Sequence, residues 1–247
     1  MTKVAAAGWI AVADGECQRS SSDPLENCCC LGYNYSTSFN KRRSGVYTLA
    51  NFCGVKCLDV EGYCDSTSGG GGWLVVQRRR QSLKQKDYFH RDWVEYEDGF
   101  GSLTAEFWYG LRALHYLTSQ GDWEMRIDFQ LSNGTRSYMH YGHFRVGPAE
   151  DSYRLSISDF KGSTPTDPFS AHHNTMEFTT RDRDNDRSLN NNCAVQHSSG
   201  WWYNKCFTIN LNYHYDKSSY GLIRFGYNWH SPQFLEMKIR LVNCTFQ

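Results

Sequence analysis

One stretch, Asp182 to Cys206, limits the fold of this protein more than any other. Asp182, Asp184 and Asp186 alternate with other residues, and Cys193 and Cys206 follow thirteen positions apart. Three carboxylates in so short a run repel one another, and a hard divalent cation held by oxygen ligands is the usual relief, so the pattern points to calcium. The spacing is not that of an EF-hand. Counted from Asp182, the sixth position is Arg187 rather than glycine and the twelfth is Cys193 rather than glutamate. Outside a metal site, the same alternation is a solvated acidic turn. A bond between Cys193 and Cys206 would close a small loop and stabilise the fold by ~3 kcal/mol. That loop holds Gly200-Trp201-Trp202-Tyr203, and three successive aromatics cannot all be buried on one face.

Ten cysteines and sequons at Asn34, Asn133 and Asn243 suit an oxidising compartment, which implies secretion and glycosylation. Lys3, the apolar run Val4 to Ala13 and the small residues Ala11-Val12-Ala13 read as a signal peptide over residues 1–13, with a truncated start as the competing reading. Residues 14–29 are polar and cysteine-rich, a stapled and irregular lead-in. Residues 30–247 are read as a single domain, and a composition 40% hydrophobic and 15% aromatic can supply its core. Twenty-six basic and 26 acidic residues cancel, so no overall field favours nucleic acid or an anionic membrane. Lys41-Arg42-Arg43 and Arg78-Arg79-Arg80 are read as solvated faces. No apolar run reaches 18 residues, which argues against membrane insertion. A zinc cluster of Cys28-Cys29-Cys30 with Cys53, Cys57 and Cys64 lacks the paired-knuckle spacing of structural zinc sites.

Short β-prone runs from Val46 to Gln77 alternate with glycine-rich turns, Gly69 to Gly72 leading into a strand at Trp73-Leu74-Val75-Val76. Trp93, Tyr96 and Phe100 predict a short helix closed by Gly99 and Gly101, and Phe107, Leu111, Leu114 and Leu117 a longer one ending at Gln120-Gly121. Trp123, Met125, Ile127 and Phe129 alternate as a half-buried strand, Asn133-Gly134 predicts a hairpin returning through Tyr138 to Val146, and Tyr153 to Ile157 alternates again. The class is α+β with a mainly antiparallel sheet, short helices and a loop-rich C-terminal third from Phe160. His90, His140 and His143 are read as core or surface hydrogen bonders and His172-His173 as loop. Neither Gly-x-Ser-x-Gly nor His-Glu-x-x-His occurs, and no enzyme is predicted.

Ser44-Gly45-Val46-Tyr47, Tyr63-Cys64-Asp65, Gly70-Gly71-Gly72-Trp73 with Gln77-Arg78-Arg79, Tyr88 to Trp93, Gly99-Phe100-Gly101, Glu106 to Leu111, Phe178 to Asp186, Asn192-Cys193-Ala194, Gly200 to Tyr203, Leu211-Asn212 and Glu236 to Ile239 occur in that order. In this the protein resembles the fibrinogen C-terminal, or fibrinogen-related, domain family of ficolins, tachylectins, angiopoietins, tenascin ends and fibrinogen subunits, over about residues 30 to 240. The resemblance implies that Cys30 pairs with Cys64. It places calcium on Asp184 and Asp186 with the carbonyls of Ser188 and Asn190, and leaves Asp182 just outside. It also implies a ligand pocket around a cis peptide at Lys205-Cys206, with His197, Phe207, Tyr220 and Trp229 round it. In lectin-like members that pocket takes an acetyl group; in fibrinogen subunits the same region takes a peptide amino terminus.

Three departures bear on specificity. Phe207 stands where sugar binders and fibrinogen subunits commonly have histidine, and His197 where acetyl binders can have tyrosine. Tyr213 replaces a glycine ahead of a shortened loop, and an acid to grip an amine in the fibrinogen manner would have to come from Asp216. The expected function is a secreted, calcium-binding, lectin-like domain for acetylated glycans or microbial surfaces in innate defence. The alternative is an extracellular matrix or signalling domain that binds proteins, as in tenascins or angiopoietins. Cys17, Cys28, Cys29, Cys53, Cys57 and Cys244 allow internal pairing or a disulfide-linked homo-oligomer.

Overall fold

The computed structural model describes residues 43–49, 60–80, 89–214 and 222–242. The expected leader and lead-in, Cys30 and the six cysteines left without a predicted partner, Asn34, Asn243, Lys41-Arg42, Asp216 and Tyr220 all lie outside these residues.

An antiparallel sheet carries the fold. Its strands are β1 (Gly45–Leu49), β2 (Val60–Asp65), β3 (Trp73–Arg80), β6 (Trp123–Gln130), β7 (Arg136–Val146), β8 (Leu155–Gly162) and β11 (Phe234–Leu241), in the order β1-β2-β3-β11-β6-β7-β8. Two short strands, β4 (Phe100–Gly101) and β5 (Phe107–Trp108), attach through β3. The hairpin expected at Asn133-Gly134 is present: Gly134 adopts φ 83, a conformation cheap only for glycine, and Leu131 N–H donates to the Thr135 carbonyl at 2.9 Å. The separate hairpin of β9 (Ile223–Phe225) and β10 (Asn228–His230) turns through Gly226-Tyr227.

The helices are α1 (Trp93–Asp98), α2 (Leu111–Thr118) and the single turns α3 (Ser170–His173) and α4 (Cys193–Gln196). Glu95 accepts the Asp92 N–H at 3.0 Å, which satisfies one of the orphan donors at the start of α1. Helix α2 is pinned to the end of β7, where Val146 N–H donates to Thr118 Oγ1 at 3.0 Å and His115 Nδ1 meets the Val146 carbonyl at 2.9 Å.

Four expectations are corrected by the fold. Phe107 is in strand β5, bonded to β3, and α2 begins only at Leu111 after Gly110 at φ 106; side-chain spacing alone does not register that break. His172-His173 ends a helical turn, and His173 is fully buried. The loop-rich C-terminal third contributes β11, which lies between β3 and β6. Arg78 and Arg79 are buried, at 1% and 4% exposure. Arg78 donates to Glu236 at 2.6 Å and to the Leu103 carbonyl at 2.7 Å while lying 3.8 Å over the Tyr63 ring. Arg79 donates to the Tyr213 carbonyl at 3.0 Å and stacks on Phe89. Delocalised, weakly hydrated guanidinium tolerates such burial once paired, and only the folded sheet supplies the partners.

The three aromatics Trp201, Trp202 and Tyr203 are all buried, on different sides of their segment. Trp201 stacks on Phe169 at 5.4 Å; Trp202 packs against Phe178 at 5.1 Å and Trp108 at 6.0 Å. Tyr203 points into a polar cluster, with its hydroxyl near Asn210 and Ser199.

Candidate functional site

Cys193 and Cys206 form a disulfide. Cys64 is also disulfide-bonded, and its expected partner Cys30 lies outside the described residues. Asn192 caps the turn of α4 by accepting the N–H groups of Ala194 and Val195 at 2.7 and 3.0 Å. Gly200 must be glycine, because a Cβ there would sit 2.6 Å from the Tyr96 ring, whose hydroxyl accepts the Gly200 N–H at 2.9 Å. Behind the second cysteine, Asn210 donates to Tyr203 and Ser199, Asn212 to the Gly200 carbonyl, and Gln77 to the Leu211 carbonyl. Bonded buried networks of this kind hold a segment in one conformation.

The segment Lys205-Cys206-Phe207 differs from expectation in its backbone. There is no cis peptide among the described residues, and Cys206 instead takes the left-handed conformation at φ 56, held by Asn204 N–H donating to the Cys206 carbonyl at 3.0 Å. A left-handed non-glycine residue costs of order 1–3 kcal/mol and persists because the disulfide and this bond constrain it. Among the described residues, the N–H groups of Lys205, Cys206 and Phe207 meet no acceptor.

The structure brings His197, Phe207 and Trp229 together, and adds Tyr213. Phe207 meets His197 edge-on at 4.8 Å, Trp229 at 5.4 Å and Tyr213 at 5.5 Å. Burial pushes the His197 pKa down to about 4, so its ring is neutral at pH 7 and packs as one more aromatic. Tyr213 was visible in the sequence only as a departure from a glycine; its place in this cluster depends on the turn at Leu211-Asn212.

The acidic loop adjoins this segment. Asp182 is taken up structurally: its carboxylate accepts Trp93 N–H at 2.9 Å and the Thr180 hydroxyl at 2.7 Å, tying the loop to α1. Arg181 pairs with Asp92, and Arg183 lies 4.0 Å over the Trp93 ring. Asp186 accepts N–H bonds from Ser188 and Cys193, each at 2.7 Å, and Asp184 accepts the Asp186 N–H at 3.2 Å. Burial, followed by the neighbouring Asp184, leaves the Asp186 pKa raised despite those two bonds. The carbonyls of Ser188 and Asn190 accept no hydrogen bond among the described residues. Asp184, Asp186 and the carbonyls of Ser188 and Asn190 offer only oxygen, the ligand type a hard cation takes, although both Asp186 oxygens already accept N–H bonds. Arg187 N–H donates to the Asn204 carbonyl at 3.1 Å, so the loop is bonded directly to the residue before Lys205.

The fold is an antiparallel α+β domain in which an aromatic cluster centred on Phe207 follows the Cys193–Cys206 disulfide beside an acidic loop. Residues 34–242 match the C-terminal globular domain of the fibrinogen beta and gamma chains, and the protein belongs to that family. It is 42% identical over 193 residues to mouse fibrinogen C domain-containing protein 1, covering 73% of this chain and 40% of the relative. It is 42% identical over 169 residues to human ficolin-3, covering 68% of this chain and 55% of that one. It therefore spans only about half the length of these relatives. The solved fibrinogen-like globe domain of human ANGPTL6 superposes with a TM-score of 0.71 at 34% identity, over 81% of this chain and 89% of that one.

Proposed function

We propose that this is a secreted recognition domain that binds acetylated sugars, or kindred acetyl groups on glycans and microbial surfaces, in innate defence, and that it makes and breaks no bond. The observation carrying this reading is that three N–H groups without acceptors among the described residues, at Lys205, Cys206 and Phe207, lie beside the Phe207, His197, Tyr213 and Trp229 cluster. An acetyl carbonyl accepts from those donors while its methyl packs against the rings, the usual division of labour in a small-ligand site. Asp184 and Asp186, with the carbonyls of Ser188 and Asn190, would hold a calcium ion. When bound, it supplies positive charge that relieves the carboxylate repulsion and stiffens the loop. The Arg187 and Cys193 N–H bonds tie that loop to the donor segment. Single sites of this size bind weakly, so several copies would be needed for useful avidity.

A second reading, a matrix or signalling domain that binds proteins, draws on Phe207 and the neutral His197. With these residues the cluster offers less polar contact to a sugar.

The test is binding of the folded protein to immobilised acetylated sugars, with calcium or with chelator, and with free N-acetylglucosamine or acetate as competitor. Calcium-dependent binding displaced by the free acetyl compounds is the expected result. Calcium should also raise the melting temperature, and Asp184→Ala or Asp186→Ala should each abolish that rise. An absence of sugar binding by a folded, calcium-stabilised protein would leave the protein-partner reading.

A further inference from the structure

Asp184 and Asp186 repel each other, so a fold that keeps them together without a cation must hold the backbone on both sides of them. On the downstream side of Asp184 the hold is local. Asn185 Nδ2 donates to the Phe178 carbonyl at 2.7 Å, and Asn185 N–H to Thr179 Oγ1 at 3.2 Å. On the upstream side it reaches out of the loop to α1. Asp182 Oδ1 accepts the Thr180 hydroxyl at 2.7 Å and, across 89 residues of sequence, the Trp93 N–H at 2.9 Å. Thr180 and Arg183 close the turn around it, each N–H donating to the other's carbonyl, at 2.9 and 3.2 Å. The residues on either side of Asp182 grip the same end of α1: Arg181 pairs with Asp92, and Arg183 lies 4.0 Å over the Trp93 ring. Helix α1 is a firm anchor. Its Tyr96 is fully buried, donates to the Phe89 carbonyl at 2.7 Å and accepts the Gly200 N–H at 2.9 Å.

We infer that Asp182 is a positioning residue for the acidic loop. It fastens residues 180–183 to α1, fixes Asp184 relative to Asp186 before any cation arrives, and so sets the affinity for calcium without touching the ion. This rests on the proposed calcium reading of Asp184 and Asp186. A loop already held in its binding geometry loses little conformational freedom on binding, and the anchor offsets the carboxylate repulsion in advance. With Asp182 unfastened, Asp184 is held on one side only, and the two carboxylates relax apart in the metal-free protein. The role needs an acceptor oxygen and not a charge. Asparagine keeps that oxygen and alanine does not, so the two substitutions separate fastening from direct ligation.

The experiment is calorimetric titration of calcium into the full-length protein and its Asp182→Ala and Asp182→Asn variants, with metal-free melting temperatures taken alongside to show that each is folded. Loss of the two hydrogen bonds in Asp182→Ala should weaken calcium binding about tenfold, whereas Asp182→Asn should stay within about twofold of wild type. Equal affinity in wild type and Asp182→Ala would overturn the inference. So would an Asp182→Asn variant as weak as Asp182→Ala, because the lost charge would then make Asp182 a ligand. A second measurement needs no variant. Coupling is reciprocal, so calcium must strengthen the Asp182–Trp93 bond as that bond strengthens calcium binding. Hydrogen exchange at the Trp93 amide should therefore slow about tenfold when calcium is saturating. Calcium binding with unchanged Trp93 exchange defeats the inference alone. A wild-type protein that binds no calcium defeats the calcium reading and this inference together.

Discussion

His173 is wholly buried, and only one protonation state of its ring suits its neighbours. Nδ1 lies 2.7 Å from the Trp202 carbonyl and must carry the hydrogen, while Nε2 accepts N–H bonds from Thr208 at 3.2 Å and Ile209 at 3.3 Å. A second proton would face two donors, and burial pushes the pKa down to about 3. His197, packed among rings, is held at about 4 by burial. Both folded-state values lie below the ordinary 6.5, so between pH 6.5 and 4 the unfolded protein binds more protons than the folded one. The stability these rings confer is therefore complete above pH 6.5 and falls as the pH is lowered. At pH 5.5, before most carboxylates titrate, the loss should reach about 1.4 kcal/mol for His173. It should be smaller for His197, which is only half-buried and so partly screened by water. Urea unfolding at pH 7.5 and 5.5 measures it, and His197→Phe should recover only the smaller share. Equal stability at the two pH values would show that the rings are not held neutral.

Strand β11 shows what an element can announce and what it conceals. Leu235, Met237 and Ile239 alternate with Glu236, Lys238 and Arg240, so a strand with one apolar face is readable from the residues. The alternation suggests that the charged face is wet, yet Lys238 is 1% exposed. Its ammonium meets Asp65 at 2.6 Å, Asp128 at 2.9 Å and Glu236 at 3.0 Å, on three different strands. Arg240 meets Glu124 at 2.6 Å and lies 4.1 Å over Trp73. Burial tends to raise the Asp65 pKa, but the charge and hydrogen bond of Lys238 outweigh it and hold the carboxyl far below its usual range. Lys238→Met would leave Asp65 buried without its cation, and breaking a buried pair in this way costs about 3–5 kcal/mol. Urea unfolding should find that loss at pH 7, with a smaller one at pH 3, where the carboxylates of the unfolded protein are largely protonated. A variant as stable as wild type at pH 7 would mean that water screens the cluster.

At the scale of the molecule, the site is assembled from residues far apart in sequence, and the Cys193–Cys206 disulfide is the covalent tie between its acidic loop and its donor segment. Replacing both cysteines by alanine should lower stability by ~3 kcal/mol and weaken calcium-dependent stabilisation, read by urea unfolding and thermal melts. Unchanged calcium stabilisation in that variant would separate the loop from the bridge. Local chemistry carried much of this into the sequence. The Asn133-Gly134 hairpin, the α1 pattern, the strand at Trp123 to Phe129 and the thirteen-residue cysteine spacing depend on turn propensity, period and loop length, which act over a few residues. Order and composition of the motifs sufficed for the family. What the sequence could not determine was pairing across distance. Phe107 has helical spacing, but its backbone bonds to β3; Arg78 and Arg79 look like a solvated run until Glu236, Tyr63 and Phe89 are brought to them. The left-handed turn at Cys206 and the packing of Tyr213 against Phe207 likewise needed the disulfide and the buried asparagines in place. Periodicity and turn chemistry are properties of sequence neighbours, whereas the burial of a charge depends on which distant strands close over it, and only the tertiary structure decides that.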